Sequence, residues 1–285
     1  MKKGVLIFAH NNREVDYALL ALIAGGLAKK HLGAPVSIVT DQSTLDWIQQ
    51  GDLFEKYDQV FDQLLLVERP TTDNVRRLSD GDSSKVVPFI NANRFSALDI
   101  TPYDRTLLID SDFLIFSDTL NNYWDVDADV MIGHSMNDIR GDRVGVLDER
   151  ISETSVHMYW ATTVMFTKNA ASKRFFDLVE YVKMNYKYYA DLFRFDPTQF
   201  RNDIAFSVAQ HILNGFEQDH TNALPPINTL IDKDMLEIVN EKGTYFLVND
   251  LLSNKYSLAR TNGVDVHVMN KQSIVRHSEE LLKLI

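Results

Sequence analysis

Asp110 and Asp112 stand two positions apart where the apolar run Leu107-Leu108-Ile109 ends and Phe113-Leu114-Ile115-Phe116 begins. A chain that is leaving a strand can turn two such carboxylates toward one bound ion instead of toward opposite faces. Hard divalent ions such as Mg²⁺ or Mn²⁺ take oxygen ligands and usually bind one or two carboxylates together with substrate phosphates. The pair therefore suits a metal-bound diphosphate. It equally suits a plain structural task, because Asp commonly ends a strand and caps the following turn. Position favours the chemical reading, since the pair follows a buried strand that is itself preceded by three to four strand and helix units.

Those units read as follows. Residues 4–9 form a short apolar run of the kind buried on both faces of a parallel sheet, ending at His10-Asn11-Asn12. Residues 13–31 place Val15, Leu19, Leu22, Ile23 and Leu27 at helical spacing, with Gly33 as a stop. A strand is expected at 36–40, closing on Asp41, then a short helix to 50 capped by Ser43, a strand at 60–67, a helix at 88–99 and the strongest strand at 105–109. This order predicts an α/β fold with a mostly parallel sheet flanked by helices. Ligands in such sheets bind beyond the carboxyl ends of the strands, which selects His10, Asn11, Asp41 and the triplet Asp110-Ser111-Asp112. His10 also suits an ordinary surface position.

The second half is more mixed. Strands are expected at 129–133, 159–166 and 264–269, helices at 170–188, 202–213 and 278–284, and a loop at Leu224-Pro225-Pro226. With no internal repeat or linker, one continuous domain with an elaborated C-terminal half is expected. The stretch 71–85, rich in Asp and Ser, reads as a mobile loop.

Composition narrows the functional classes. The chain has 285 residues, 45% of them apolar, enough for a full core, and 29 Lys plus Arg against 40 Asp plus Glu give a net charge of −11. That balance excludes a general basic surface for nucleic acid and leaves open only a local basic groove. With no cysteine there is no disulfide, no zinc-thiolate site and no thiolate nucleophile. The apolar stretch 17–28 falls short of the roughly 20 residues of a spanning helix, and the N-terminal run is too short for a signal sequence. The chain therefore reads as mature and cytoplasmic. G-x-G-x-x-G, the P-loop, H-E-x-x-H and G-x-S-x-G are all absent.

The phrase Lys85…Asn93-Arg94-Phe95…Leu98…Thr101-Pro102-Tyr103-Asp104-Arg105, continued by the apolar strand and Asp110-Ser111-Asp112, resembles the central signature of GT-A-fold glycosyltransferases. The likeness is to the glycogenin- and galactosyltransferase-like family eight in particular. It implies a GT-A-type, Rossmann-like mixed sheet and a nucleotide-diphosphate sugar of the UDP kind as donor. It further implies Mn²⁺ or Mg²⁺ bridging the D-x-D carboxylates and the diphosphate. Residues 1–135 would be the nucleotide-sugar half and 136–285 the half that binds acceptor and completes the metal site.

Later segments extend the resemblance. His267 and Lys271 match the family's C-terminal metal motif in spacing, with Asn270 standing where the family has glycine. On the resemblance His267 is the third protein ligand and Lys271 holds the diphosphate, chemistry that imidazole and ammonium suit. His277 is the alternative ligand, and a histidine that merely satisfies its own hydrogen bonds is the structural alternative for His267. Asp203 matches the family's second acidic motif by type, with Asn202 standing where the family has glutamine, which places the two at the reacting face. There a carboxylate takes the acceptor proton in an inverting enzyme or orients a substrate in a retaining one. Helix capping explains Asp203 as well. The same pattern places His10, Asn11 and Asp41 at the nucleoside, with Asp41 near base or ribose, and Arg94 near ribose or diphosphate.

The aromatic stretch 181–195, with Lys183, Lys187 and Arg194, suits a saccharide acceptor, nucleic-acid bases or simply the packed side of a helix. The reading is a metal-dependent hexosyl- or pentosyltransferase acting on a hydroxyl acceptor, a saccharide before a nucleic acid. Two alternatives remain. In a haloacid-dehalogenase-like phosphatase Asp110 would be the nucleophile, but it would lie on the first strand and precede Gly-Thr, whereas Asp110 comes late and Phe113-Leu114 follow. The other is a nucleotide-sugar-binding protein without turnover.

Overall fold

The N-terminal apolar run folds as β1 (Lys3–Phe8), with every residue after Lys3 buried. The computed structural model describes residues 1–12, 14–69, 74–79, 84–139, 149–217, 223–230, 234–250 and 255–285. Helix α1 (Tyr17–Leu32) starts where the Asp16 side chain accepts from the Leu19 N–H and stops where Gly33 adopts φ +64°. Arg13, the first residue of the expected helix, lies outside the described residues. Strand β2 (Val36–Thr40) leads into α2 (Gln42–Gln50), whose cap is Asp41, not Ser43. The expected strand 60–67 is shortened, because α3 (Phe54–Val60) takes its first residue and β3 (Gln63–Leu66) the centre.

Where a mobile loop is expected at 71–85, the described residues pair as an antiparallel hairpin of β4 (Val75–Ser79) and β5 (Ser84–Pro88). Residues 71–73 and 80–83 of that stretch lie outside the described residues. The expected helix at 88–99 is mostly absent. Irregular backbone runs to Asn93, a single 3₁₀ turn covers Arg94–Ser96, and only α4 (Ala97–Ile100) is helical. Strand β6 (Arg105–Ile109) is wholly buried, and β7 (Phe113–Leu114) follows the aspartate pair. Arg105 anchors this region, its guanidinium donating to the carbonyls of Tyr123, Val126 and Ala128.

The C-terminal half supplies β8 (Val130–Gly133), β9 (Met136–Asp138), β10 (Trp160–Thr167), α5 (Ala170–Met184), α6 (Tyr186–Phe193) and α7 (Asn202–Leu213). It ends with β11 (Ile227–Leu230), β12 (Leu236–Asn240), β13 (Gly243–Asp250), β14 (Lys255–Thr261), β15 (Val266–Val268), α8 (Lys271–Arg276) and α9 (Ser278–Leu282). The expected helix 170–188 breaks at Asn185, whose φ and ψ of −111° and 28° leave the helical region.

The main sheet has the order β3-β2-β1-β6-β10-β8. β3, β2, β1 and β6 are parallel, and β10 runs antiparallel to β6 and β8. This mixed α/β sheet, parallel through its N-terminal strands, is the architecture expected from the sequence. The chain winds outward from β1 through β2 to β3, then returns to the other side of β1 as β6. That reversal makes a topological switch point at the carboxyl ends of β1 and β6, the place where such sheets bind ligands. A second sheet, β7-β15-β11-β9, stands beside it. Among the described residues no helix is long and apolar enough to cross a membrane.

Candidate active site

Asp110 and Asp112 form the turn by which the chain passes from one sheet to the other. The Asp110 N–H still donates to the Thr162 carbonyl of β10, at 3.0 Å, and the Asp110 carbonyl accepts from Phe113 N–H at 3.1 Å, closing the turn. Beyond it β7 pairs with β15, setting Phe113 opposite His267. The Val268 N–H donates to the Asp112 carbonyl at 2.9 Å. Strand pairing thus fixes the backbone of His267 against the aspartate turn.

The side chains converge as a result. His267 Nε2 lies 3.3 Å from Asp112 Oδ1 and 3.9 Å from Asp110 Oδ2. One ligand atom from each of Asp110, Asp112 and His267 can be chosen so that all lie within 4.8 Å of one another. Thr162 Oγ1 sits 3.3 Å from His267 Nδ1, so a proton on Nδ1 leaves the Nε2 lone pair facing the carboxylates. This donor set of two carboxylates and one imidazole could hold a divalent metal ion. His277 lies elsewhere, with Nε2 2.9 Å from the Leu236 carbonyl.

Two cations flank the cluster. Arg94 Nη1 donates to Asp110 Oδ1 at 2.7 Å, and Lys271 pairs with Asp112. Lys271 begins α8, and Asn270 before it caps that helix by accepting from Gln272 N–H. The φ of Asn270 is −76°, a conformation open to any residue, so glycine is not needed there. Burial works against ionising Asp112, but Lys271 and His267 outweigh it and hold that carboxyl well below the usual range. Burial pushes Asp110 up, opposed by Arg94 and reinforced by the charge of Asp112.

A cavity of about 1070 Å³ opens over this turn, and Phe8 and Ile109, the last residues of β1 and β6, both line it. Of the sequence-expected residues, Arg94, Asp110, Ser111, Asp112, Asn202, Asp203, His267 and Lys271 line the cavity. His10, Asn11 and Asp41 do not. They are bonded within the protein: His10 to Asn91, Asn11 to the start of α1, and Asp41 to Thr44 N–H and Arg69. Asp203 is held over β10, where its Oδ1 accepts from Ala161 N–H at 2.9 Å and its Oδ2 from Arg201 at 3.2 Å. It lies in the first turn of α7 but is not its cap, a position taken by Arg201.

Further residues line the cavity without any motif to mark them. Arg76 and Arg77 come from the β4–β5 hairpin, Asn91 from the irregular segment before Arg94, and Trp160 and Thr162 from β10. The Arg76 guanidinium lies over the Phe89 ring at 5.1 Å, and Arg201 lies over Trp160 at 5.7 Å. In the aromatic stretch, Tyr186, Tyr189 and Phe193 are buried, and none of residues 181–195 is among those lining the cavity, which Phe200 further on does line.

No protein-family profile and no curated protein matches the sequence. Among solved structures, the apo form of the glycosyltransferase GlyE of Streptococcus pneumoniae TIGR4 aligns with 79% of this chain at 14% identity and a TM-score of 0.42. The chain spans 45% of that protein's length. The galactosyltransferase LgtC, solved with donor and acceptor sugar analogues, aligns over 79% of this chain and 73% of its own, at 15% identity and a TM-score of 0.45. Both neighbours are glycosyltransferases, the class that the sequence phrase resembles. At these scores the functional reading is carried by the geometry of the site.

Proposed function

We propose that the chain is a metal-dependent glycosyltransferase that moves a hexosyl or pentosyl group from a nucleotide-diphosphate donor of the UDP kind to a hydroxyl acceptor. The observation that carries this reading is the Asp110, Asp112 and His267 cluster at the switch point, flanked by the buried cations Arg94 and Lys271. A carboxylate and imidazole cluster alone fits many uses of a metal. Two cations beside it, in a cavity of this size, suit a diphosphate and the groups attached to it.

Charge supports the same reading. The chain carries −11, yet the cavity is lined by Arg76, Arg77, Arg94, Arg201 and Lys271 against Glu153, Asp110, Asp112 and Asp203. A local excess of cations lets an acidic protein admit an anionic donor. Mn²⁺ or Mg²⁺ held by Asp110, Asp112 and His267 would neutralise the diphosphate as it leaves. Lys271 and Arg94 bind diphosphate oxygens, and Ser111 lies in the same turn. Asp203 and Asn202 face the reacting sugar, where Asp203 takes the acceptor proton or orients the acceptor. Trp160 and Phe200 offer rings to a saccharide acceptor.

In this reading residues 1–135 supply most of the donor site, and residues 136–285 supply His267, Lys271 and the acceptor face. The test is a thermal-shift series with UDP and UDP-sugars, each with and without Mn²⁺. The expected result is stabilisation that requires nucleotide and metal together. Stabilisation by no nucleotide sugar, or by one equally with and without Mn²⁺, would overturn the reading.

A further inference from the structure

Among the described residues, the buried polar atoms of cavity-lining residues that have no hydrogen-bond partner include Asn91 Nδ2, Arg94 Nη2 and Asn202 Oδ1. Their residues are 8%, 3% and 8% exposed. Asn202 and Asn91 are joined directly, because Asn202 Nδ2 donates to the Asn91 carbonyl at 3.2 Å, while Arg94, three residues on from Asn91, donates to Asp110 at 2.7 Å. A buried donor or acceptor left unpaired is costly, so the group points to a ligand that completes it.

The orientation of the Asn91 amide is fixed by chemistry. The backbone N–H of His10 lies 3.1 Å from Asn91 Oδ1, and a backbone N–H can only donate. The atom facing it must be the amide oxygen, so the NH₂ group faces away from His10. His10 Nδ1 lies 2.8 Å from the same oxygen and must therefore carry the ring proton. Burial lowers the His10 pKa and keeps the ring neutral in this arrangement.

We infer that Asn91, held in orientation by His10, reads a hydroxyl group of the sugar carried by the donor. This rests on the glycosyltransferase reading. A hydroxyl both accepts from an amide or guanidinium N–H and donates to an amide oxygen, so neighbouring sugar hydroxyls satisfy Asn91, Arg94 and Asn202 together. A phosphate offers only acceptors and would leave Asn202 Oδ1 unpaired, while an apolar group would leave all three. In this assignment His10 is a positioning residue that acts through Asn91.

The experiment is calorimetry in Mn²⁺ with UDP, UDP-glucose, UDP-galactose and singly deoxygenated analogues of whichever sugar binds better. Wild type, Asn91→Ala, His10→Leu and His10→Asn are compared, with circular-dichroism melts to confirm folding. Asn91→Ala is expected to weaken the preferred UDP-sugar about tenfold and to leave UDP unchanged. One deoxygenated analogue should bind wild type and Asn91→Ala equally. His10→Leu, which keeps the backbone N–H bond and loses only the ring's, should reproduce part of the loss, and His10→Asn, whose amide can still donate to Asn91 Oδ1, should restore the affinity. An equal loss for UDP and UDP-sugar, or no loss with any sugar, would overturn the inference. Failure of wild type to bind UDP with Mn²⁺ would instead overturn the glycosyltransferase reading on which it stands.

Discussion

Lys271 and Asp112 are paired with both side chains almost wholly buried, 4% and 7% exposed. The residue proposed to hold the diphosphate is therefore engaged by a proposed metal ligand. A cation taking its place beside Asp112 would release Lys271 toward the donor, which couples the two binding events. Such coupling is reciprocal: metal strengthens nucleotide binding by the factor with which nucleotide strengthens metal binding. The same pair changes what loss of Asp112 should do. Removing it affects folding as well as chemistry, because Lys271 is then buried without its counterion.

Breaking a buried ion pair from one side typically costs about 3–5 kcal/mol, whereas replacing both partners costs much less. Asp112→Asn and Lys271→Met should each lower stability to urea, and the double variant should lose clearly less than the two single losses added. All three should lack Mn²⁺-dependent hydrolysis of a UDP-sugar. Strictly additive losses would show that the pair contributes no coupling.

Thr162 touches His267 without belonging to the metal cluster. Its hydroxyl can accept the Nδ1 proton and hold the ring with Nε2 toward the carboxylates. Loss of such an outer partner typically costs about 10–100-fold in metal affinity. Thr162→Val, nearly isosteric, should weaken Mn²⁺ binding by that order in a calorimetric titration while the melting temperature stays close to wild type. Unchanged Mn²⁺ affinity would remove Thr162 from the site.

Two histidines give stability a pH dependence. Burial lowers the pKa of His10 and of His211 below the ordinary histidine value of 6.5, against the opposing hydrogen bonds to Asn91 and to the His157 carbonyl. Both are neutral in the folded protein, whereas in the unfolded chain they gain a proton near 6.5. Their contribution is therefore complete above that pH and is lost as pH falls through the lowered folded values. His211→Gln, which cannot titrate and can still donate to His157, should flatten the decline in melting temperature between about pH 6.5 and 5. A decline as steep as wild type would exclude His211 as a contributor.

Much of the N-terminal half was legible because strands buried on both faces read as unbroken apolar runs, as in 4–9 and 105–109. The aspartate turn and the spacing of His267 and Lys271 were legible as motifs, and Asn270 proved compatible because its backbone is not left-handed. What escaped depends on contacts between distant segments. The partners of Asp41 and His10 are Arg69 and Asn91, and no local pattern announces either. The β4–β5 pair carries Arg76 and Arg77 in a stretch whose Asp and Ser residues read as loop. The second sheet joins short strands, β7 and β15 among them, that are too brief to show a period.

Asp203 offers the sharpest division between a structural and a chemical role. One oxygen accepts from Ala161 N–H, and the other meets Arg201 in an ion pair whose side chains are 21% and 44% exposed. A partly exposed pair of this kind contributes at most about 1 kcal/mol, and a carboxylate in the first turn of a helix adds a similar amount through the dipole. Asp203→Asn keeps an oxygen for Ala161 and removes the charge. If Asp203 only anchors α7 to β10, the variant should melt slightly lower and turn over normally. At the reacting face, loss of the carboxylate should lower kcat by about 10²–10⁴-fold if it takes the acceptor proton, with the KM for donor little changed. Steady-state transfer assays beside a melting curve separate the two, and full turnover in Asp203→Asn would remove the residue from the chemistry.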